Sequence, residues 1–158
     1  MYTKKNVYTV EEALITLQKY CAYQDRCHTE IEHKLKTMGM IPQAADQIIM
    51  TLIQDDYLNE ERFVMAFVRG KFKIKKWGKI RLKSELKRRH ISKYLIEKGL
   101  KQISEHEYLI EFEKLANKKA ETLGGASKVQ KKKKLIDYLM YRGWEPHLIY
   151  DKVNQLFN

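Results

Sequence analysis

The chain contains a unit of helix, stop and helix that occurs three times, and this repeat restricts the fold more than any other feature. Each unit begins with two apolar residues four positions apart. Another apolar residue follows the first by nine positions, and a second helix then has apolar residues at offsets of four and three, which is one helix face. The apolar positions are Ile31, Leu35, Met40, Ala45, Ile49 and Leu52; Leu82, Leu86, Ile91, Ile96, Leu100 and Ile103; and Leu135, Leu139, Trp144, Ile149, Val153 and Leu156.

The stop between the two helices has a recognisable chemistry in two of the units. Gly39 and Gly143 occupy the place where a helix end needs a positive φ, and Pro42 and Pro146 stand three residues later, where proline opens a helix. The middle unit has His90 at the glycine position, which predicts a weaker stop.

A longer amphipathic segment precedes each helix pair, at 10–23, 60–74 and 107–122. The expected inward residues are Ala13, Leu14 and Leu17; Phe63, Phe67 and Val68; and Leu109, Phe112 and Leu115. We therefore predict an all-α fold of three tandem three-helix modules, 9–58, 59–104 and 105–158, forming an elongated, curved body. Only seven glycines and two prolines agree with long helices. We expect the modules to be independent enough that truncation after Leu123 leaves the first two folded.

Composition limits where the protein acts and what it meets. No apolar run reaches the roughly 18 residues of a membrane span, and the start MYTKKNVYTVEEAL lacks the apolar core of a signal peptide, so we expect a cytoplasmic protein. We also expect it to be a monomer. Two cysteines form no disulfide framework. A net charge of +11 indicates nucleic acid or an acidic protein surface as partner.

That charge is concentrated in residues 69–90, RGKFKIKKWGKIRLKSELKRRH, where eleven bases surround one acid, Glu85. Phe72 and Trp77 interleave with the bases, and such rings stack on nucleobases or anchor in protein pockets. The alternative is that the basic residues form a solvated helix face. Phe63 and Phe67 are expected in the core, and Trp77 could either pack in the core or contact a partner. The predicted contact residues are Arg69, Lys71, Lys73, Lys75, Lys76, Trp77, Lys79, Arg81, Lys83, Lys87, Arg88 and Arg89.

A second basic patch follows Gly124 and Gly125. It consists of Lys128, Lys131, Lys132, Lys133 and Lys134. Paired glycines break helices and adjacent lysines repel one another, so we expect the least ordered part of the chain here, with the third module free to swing. A solvated linker is the favoured interpretation, with long-range steering of a partner as the alternative.

The sequence offers no convincing catalytic or metal site. Cys21, Cys27, His28 and His33 match no zinc spacing, and Cys27 more simply opens the second helix with Glu30 three residues on. No nucleophile, base and orienting group converge, and no glycine-rich loop precedes Lys-Ser or Lys-Thr. We expect a protein that is not an enzyme and that needs no cofactor or metal.

The segment NEERFVMAFVRGKFKIKKWGKIRLKSEL resembles the RecX family of bacterial regulators of the RecA recombinase. The resemblance runs through the acidic pair with Arg-Phe at 60–63, Phe-Val-Arg at 67–69, the basic run into 76–78, and Glu-Leu at 85–86. The first module, through ALITLQKYCAYQDRCHTEIEHKLKTMG, and the end, through LIDYLMYRGW, resemble the family as well. Lys76 and His90 stand where the family has glycine, Trp77 where it has tyrosine, and Lys79 where proline is common.

The resemblance implies a helical protein that lodges in the groove of the RecA filament on DNA and limits its growth, recombinase and coprotease activities. The alternative is a protein that binds DNA directly through GKIRLKSELKRRH as a recognition helix. That helix has no Asn or Gln to read adenine, although its arginines could contact guanine.

Overall fold

The computed structural model describes residues 7–158, where α-helices joined by short turns are the regular secondary structure. The N-terminal residues, on which the expected lack of a signal peptide partly rests, lie outside the described part. The helices are α1 Val10–Tyr23, α2 His28–Thr37, α3 Pro42–Gln54, α4 Glu60–Lys73, α5 Lys79–Arg88, α6 Lys93–Leu100, α7 Glu105–Glu121, α8 Lys128–Tyr141 and α9 Pro146–Phe157. The closest helix packing joins helices within one module, such as α1 with α3, α4 with α6 and α8 with α9, so the predicted tandem all-α fold is confirmed.

The repeated stop is one and the same hydrogen-bonded helix end in all three units. The amide of the apolar residue at the ninth position donates to the carbonyl of the residue five positions earlier, from Met40, Ile91 and Trp144 at 3.1, 3.2 and 3.2 Å. This closure requires a left-handed residue just before the donor. Gly39 and Gly143 supply it with φ of 77° and 86°.

The stop of the middle unit and two further helix ends use a residue with a side chain in the same left-handed conformation. His90, Lys76 and Asp56 have φ of 57°, 58° and 57°. A residue with a Cβ pays roughly 1–2 kcal/mol for this conformation. The weak stop predicted at His90 therefore keeps the glycine geometry at an energetic cost, and the turn at Lys76 does the same.

The buried side chains divide into two cores that do not match three independent modules. The first module has its own core, centred on Leu17, Ile31, Leu35 and Leu52. The second core is continuous across the second and third modules and includes Trp144. The third module is therefore packed against the second, which corrects the expectation that it swings freely. The exact module bounds stay a prediction.

The residues predicted to face the core are buried in some helices, whereas in others the buried residues lie one position away from the predicted ones. Ile96, Leu100 and Ile103 are buried as expected. In α7 the buried residues are Tyr108, Phe112 and Ala116, whereas Leu109 is 38% exposed. The helix begins at Glu105 behind the Ser104 cap, and Tyr108 turns inward to meet Trp144, with ring centroids 4.6 Å apart. A contact within the third module therefore sets the rotation of this helix.

Other helices also differ slightly from the prediction in which residues are buried. Ile48 is buried where Ala45 and Ile49 were expected, and both of those are half-buried. Val64 takes a core position while Phe67 is half-buried; Leu14, Leu115 and Leu156 are half-buried as well.

The junction between the first and second modules is mainly polar. Arg62 on α4 donates from Nε to Asp25 Oδ1 at 2.7 Å and from a terminal nitrogen to Asp56 Oδ2 at 3.1 Å. The amide of His28 donates to Glu60 Oε2 at 3.1 Å. Cys27, fully buried at the start of α2, is the one first-module residue of the second core.

Candidate partner-binding surface

The cationic segment is a bend, because α4 ends at Lys73, residues 74–78 turn, and α5 begins at Lys79. This bend is clamped by the third module. The amides of Gly78 and Ile80 donate to the carbonyls of Arg142 and Gly143 at 2.8 and 3.0 Å. Trp144 Nε1 donates to the carbonyl of Lys76 at 3.0 Å. The cations of the bend are thus displayed from a rigid base.

Glycines make the clamp possible. A Cβ on Gly143 would lie 2.3 Å from the backbone nitrogen of Arg81, and one on Gly78 would lie 2.4 Å from the carbonyl oxygen of Gly143. Only a residue without a Cβ lets the two backbones approach this closely.

Tyr108 and Glu145 complete the clamp, and the sequence analysis did not single them out. The Lys79 amide donates to the Tyr108 hydroxyl at 2.9 Å, and that hydroxyl donates to Glu145 Oε2 at 2.7 Å. Burial, reinforced by this bond to a carboxylate, raises the pKa of Tyr108. The Ser104 cap, which shifts the start of α7 from 107 to 105, was the signal that could have placed Tyr108 inward.

Several predicted contact cations are engaged with acids of the chain. Lys76 Nζ lies 2.8 Å from Glu111 Oε2, and Lys73 pairs with Glu107. The hydrogen bond from Lys76 lowers the pKa of Glu111, and the one to Glu107 raises the pKa of Lys73. These two lysines connect the bend and the end of α4 to α7, and they also contribute to the positive charge of the segment.

A second acid-bound group lies on α5 around Glu85. Arg89 and Arg88 approach its carboxylate at 3.0 and 3.4 Å. Burial works against ionisation, but the Arg89 hydrogen bond and the two positive charges outweigh it and lower the pKa of Glu85. The single acid of the segment therefore orders two of its arginines.

Other cations of the set cover aromatic rings. The Arg81 guanidinium lies 4.3 Å from the Trp77 ring centroid and 4.6 Å from that of Tyr141, and it donates to the Tyr141 carbonyl at 3.0 Å. Lys71 lies 5.1 Å from the Trp77 ring, and Lys79 lies 4.5 Å from the Tyr108 ring. These cation–π contacts hold the three cations partly against rings of the chain.

The two aromatic residues of the segment have different environments. Phe72 is buried in the core at 1% exposure. Trp77 is half-buried and meets the Phe67 ring edge-on at a centroid distance of 6.1 Å. Trp77 thus combines packing with partial exposure.

The cations left for a partner are fewer than the sequence suggested. Lys75, Lys83 and Lys87 are exposed and form no side-chain hydrogen bond or ion pair within residues 7–158. Arg69 is exposed and holds Gln102 Oε1 at 3.0 Å. We call Lys75, Lys83 and Lys87 the free lysines; they lie on the bend and along α5.

The second basic patch is helical, which corrects the linker interpretation. Ser127 and Gln130 form a reciprocal capping box, and Lys128 opens α8 directly behind it. Lys133 pairs with Asp137 one turn on, at 2.7 Å. The break predicted at the paired glycines is present, with Gly125 at a φ of 87°, but it is confined to the short α7–α8 connection.

The described residues show little sign of other chemistry. In residues 7–158 no three His, Cys, Asp or Glu side chains are close enough to share a metal ion. Cys21 and Cys27 are both buried thiols, and burial raises the pKa of each. Within the same range, every helix is too short or too polar to cross a membrane.

Fold and surface together define the class: an all-helical protein of tandem three-helix modules with a cationic bend at its second module. Two family models match this chain: the second three-helix domain of RecX over residues 59–100 and the third three-helix domain of RecX over residues 111–153. Together these models cover more than half of the chain. The chain belongs to the RecX family.

Curated relatives agree with this assignment. The chain is 26% identical to the regulatory protein RecX of Lactobacillus johnsonii over 144 residues, which are 91% of this chain and 53% of that protein. It is 24% identical to the regulatory protein RecX of Bacillus cytotoxicus over 140 residues, 89% of this chain and 52% of that protein. The chain thus spans about half the length of these relatives.

Solved structures show the same fold. The crystal structure of RecX from Lactobacillus salivarius superposes with a TM-score of 0.76 at 22% identity, covering 93% of this chain and 96% of that one. A second crystal structure, of a regulatory protein RecX, gives a TM-score of 0.81 at 18% identity, covering 92% and 73%.

Proposed function

We propose that this protein regulates the RecA recombinase by binding the RecA–DNA filament, lodging in its groove and restraining filament growth, recombinase activity and coprotease activity. Family membership supports the regulatory role. The observation that carries the surface is the rigid bend that presents the free lysines. Such a function would be exerted in the cytoplasm, by a protein without catalytic activity of its own.

The geometry of α5 argues against sequence-specific recognition of bare DNA. Because this helix has no Asn or Gln, base reading by it would depend mainly on arginines that reach guanine edges. Arg81 is held by the Tyr141 carbonyl, while Arg88 and Arg89 are drawn to Glu85. Because these arginines are engaged, mainly lysines remain for the partner. Lysines bind phosphates or carboxylates as point charges.

The decisive test reverses free lysines without disturbing the clamp. The variant Lys75→Glu with Lys83→Glu should lose inhibition of RecA strand exchange and bind filament at least about tenfold more weakly, because two attractions become repulsions. The control, Lys19→Glu with Lys36→Glu, makes the same charge change on exposed first-module lysines and should inhibit normally. Full inhibition by the Lys75 and Lys83 variant would refute the proposal.

Salt dependence separates filament binding from direct DNA binding. If phosphates dominate, the log–log slope of affinity against salt is about −0.9 per neutralised phosphate on duplex DNA. We expect a shallower slope on the filament and much weaker binding to bare DNA. Equal affinity for bare DNA and filament would favour the direct DNA-binding alternative.

A further inference from the structure

A second cationic feature lies between the second and third modules, where the α4 end of the bend faces α7. It is an open groove of about 680 Å³, which we call the lysine groove. Its walls include Ile74, Lys76, Lys114, Leu115, Lys118 and Lys119. Apart from Ile74 and Lys76, these residues belong to α7, which carries none of the predicted contact cations.

The charged side chains that line the groove are mainly positive. Its one acid, Glu111, is already paired with Lys76 at 2.8 Å. Lys114 and Lys118 lie one helical turn apart, are exposed, and form no ion pair within residues 7–158. Tyr138 of α8 lies at the edge, and Lys134 and Lys131 precede it on the same helix face by one and two turns. Such a surface attracts an anionic ligand.

Apolar surface accompanies these charges. Ile74, which follows the last residue of α4 as its C-cap, is 77% exposed, and Leu115 of the groove lining is half-buried. Exposed aliphatic carbon within a ring of lysines favours a ligand that carries both carboxylates and an apolar side chain.

The aromatic chemistry argues against a nucleic acid strand in this groove. Single-stranded nucleic acids bind through open aromatic faces on which bases stack. Tyr138 is the one aromatic residue in the lining, and two cations of the chain lie over its ring, Arg142 at 4.1 Å and Lys119 at 4.8 Å. The ring is therefore already occupied.

We propose that the lysine groove is a docking site for an acidic, amphipathic segment of a partner protein. Carboxylates of the segment pair with Lys114 and Lys118, and an apolar side chain rests on Ile74 and Leu115. The groove adds a peptide-binding site beyond the filament surface of the bend, and its chemistry does not depend on which protein supplies the segment.

The test measures fluorescence anisotropy with the full chain and three labelled probes of matched length. These are a glutamate-rich peptide with leucines four positions apart, an all-glutamate peptide, and oligodeoxythymidylate. The variant Lys114→Glu with Lys118→Glu should bind the leucine-containing peptide about tenfold more weakly. The control Lys19→Glu with Lys36→Glu should change that affinity by less than about twofold, apart from general charge effects.

A matched pair of apolar variants tests the second half of the site. Ile74→Ser should weaken the leucine-containing peptide several-fold and leave the all-glutamate peptide unchanged. Val129→Ser, an equally exposed position at 78% on α8 outside the groove, should affect neither peptide. Helical content by circular dichroism should be the same for all variants.

Three results would overturn the proposal. Equal binding of the two peptides would remove the apolar subsite, and unchanged peptide binding in the Lys114 and Lys118 variant would remove the lysines from it. Tighter binding of the oligonucleotide, lost in that same variant, would make the groove a phosphodiester site. No recombinase is present, so failure here leaves the filament proposal intact, and failure of filament binding leaves the peptide result intact.

Discussion

Trp144 Nε1 donates a hydrogen bond of 3.0 Å to the backbone carbonyl of Lys76. The bond joins the stop of the third module's repeat to the cationic bend of the second. Trp144 is fully buried, and its ring also meets those of Phe72, Tyr108 and Phe112 at centroid distances of 6.4, 4.6 and 5.3 Å. One side chain therefore links the shape of the proposed binding surface to the common core.

Replacing Trp144 should loosen the bend together with the core. Trp144→Phe leaves the Lys76 carbonyl without its donor and should cost about 1–3 kcal/mol, whereas Trp144→Ala also opens a cavity and should cost about 3–5 kcal/mol. Urea unfolding followed by circular dichroism measures both. In either variant Trp77 is the remaining tryptophan, so its fluorescence reports the bend directly. A stable Trp144→Ala protein would show that the shared core is not needed.

Alanine at two left-handed glycines should have unequal effects. Gly39→Ala meets no atom within 4 Å and should cost only backbone strain, about 1 kcal/mol. Gly143→Ala adds a clash with the backbone of Arg81 and should cost about 3 kcal/mol or more. Thermal unfolding of the two variants gives the comparison, and equal costs would mean that the modules separate easily at this contact.

His90→Gly should stabilise the protein. His90 holds a φ of 57° and its side chain is exposed without a hydrogen bond within the described chain, so glycine relieves strain at no loss of contact. After the added entropy of the unfolded chain, the gain should be about 0.5–1 kcal/mol. His90→Ala, which removes the imidazole but keeps the Cβ, serves as control and should give no gain. Stabilisation by both changes would point to the imidazole instead of the backbone.

The Lys76–Glu111 pair should make stability depend on pH in the acidic range. The pKa of Glu111 in the folded protein lies below its ordinary value, so its contribution is present above that ordinary value, about 4.3, and is lost as pH falls through the folded-state pKa. Glu111→Gln should cost about 0.5–1 kcal/mol at pH 7, with the difference vanishing under strongly acidic conditions. Melting temperature against pH tests this, and Glu121→Gln, an exposed acid of the same helix, should show no such convergence.

Truncation after Leu123 should disrupt the second module, contrary to what the repeat alone predicts. Removing α8 and α9 takes away Trp144 and strips the cover from Phe72 and Tyr108. The first module keeps its separate core. We expect the fragment to lose the cooperative transition reported by Trp77 fluorescence while retaining some helix. A fragment whose second module unfolds as in the full chain would restore the view of independent modules.

The sequence by itself determined the elements that depend on local chemistry. Helix periodicity and glycine or proline at fixed offsets act over one or two turns, so most of the helices, their stops and the three-fold repeat follow from residues such as Gly39, Pro42 and Pro146. Net charge located the cationic segment, because charge is a sum over residues and needs no fold.

Tertiary structure decided which residues of that segment face a partner and which hold the protein together. Lys76 and Glu111 are 35 positions apart, and Trp144 reaches Lys76 across 68 positions. No local pattern encodes such pairings, because they depend on how the third module, including α7, packs against the bend. The same packing turned Tyr108 inward, merged two modules into one core, and left Lys75, Lys83 and Lys87 as the free lysines of a segment whose charges had looked equivalent.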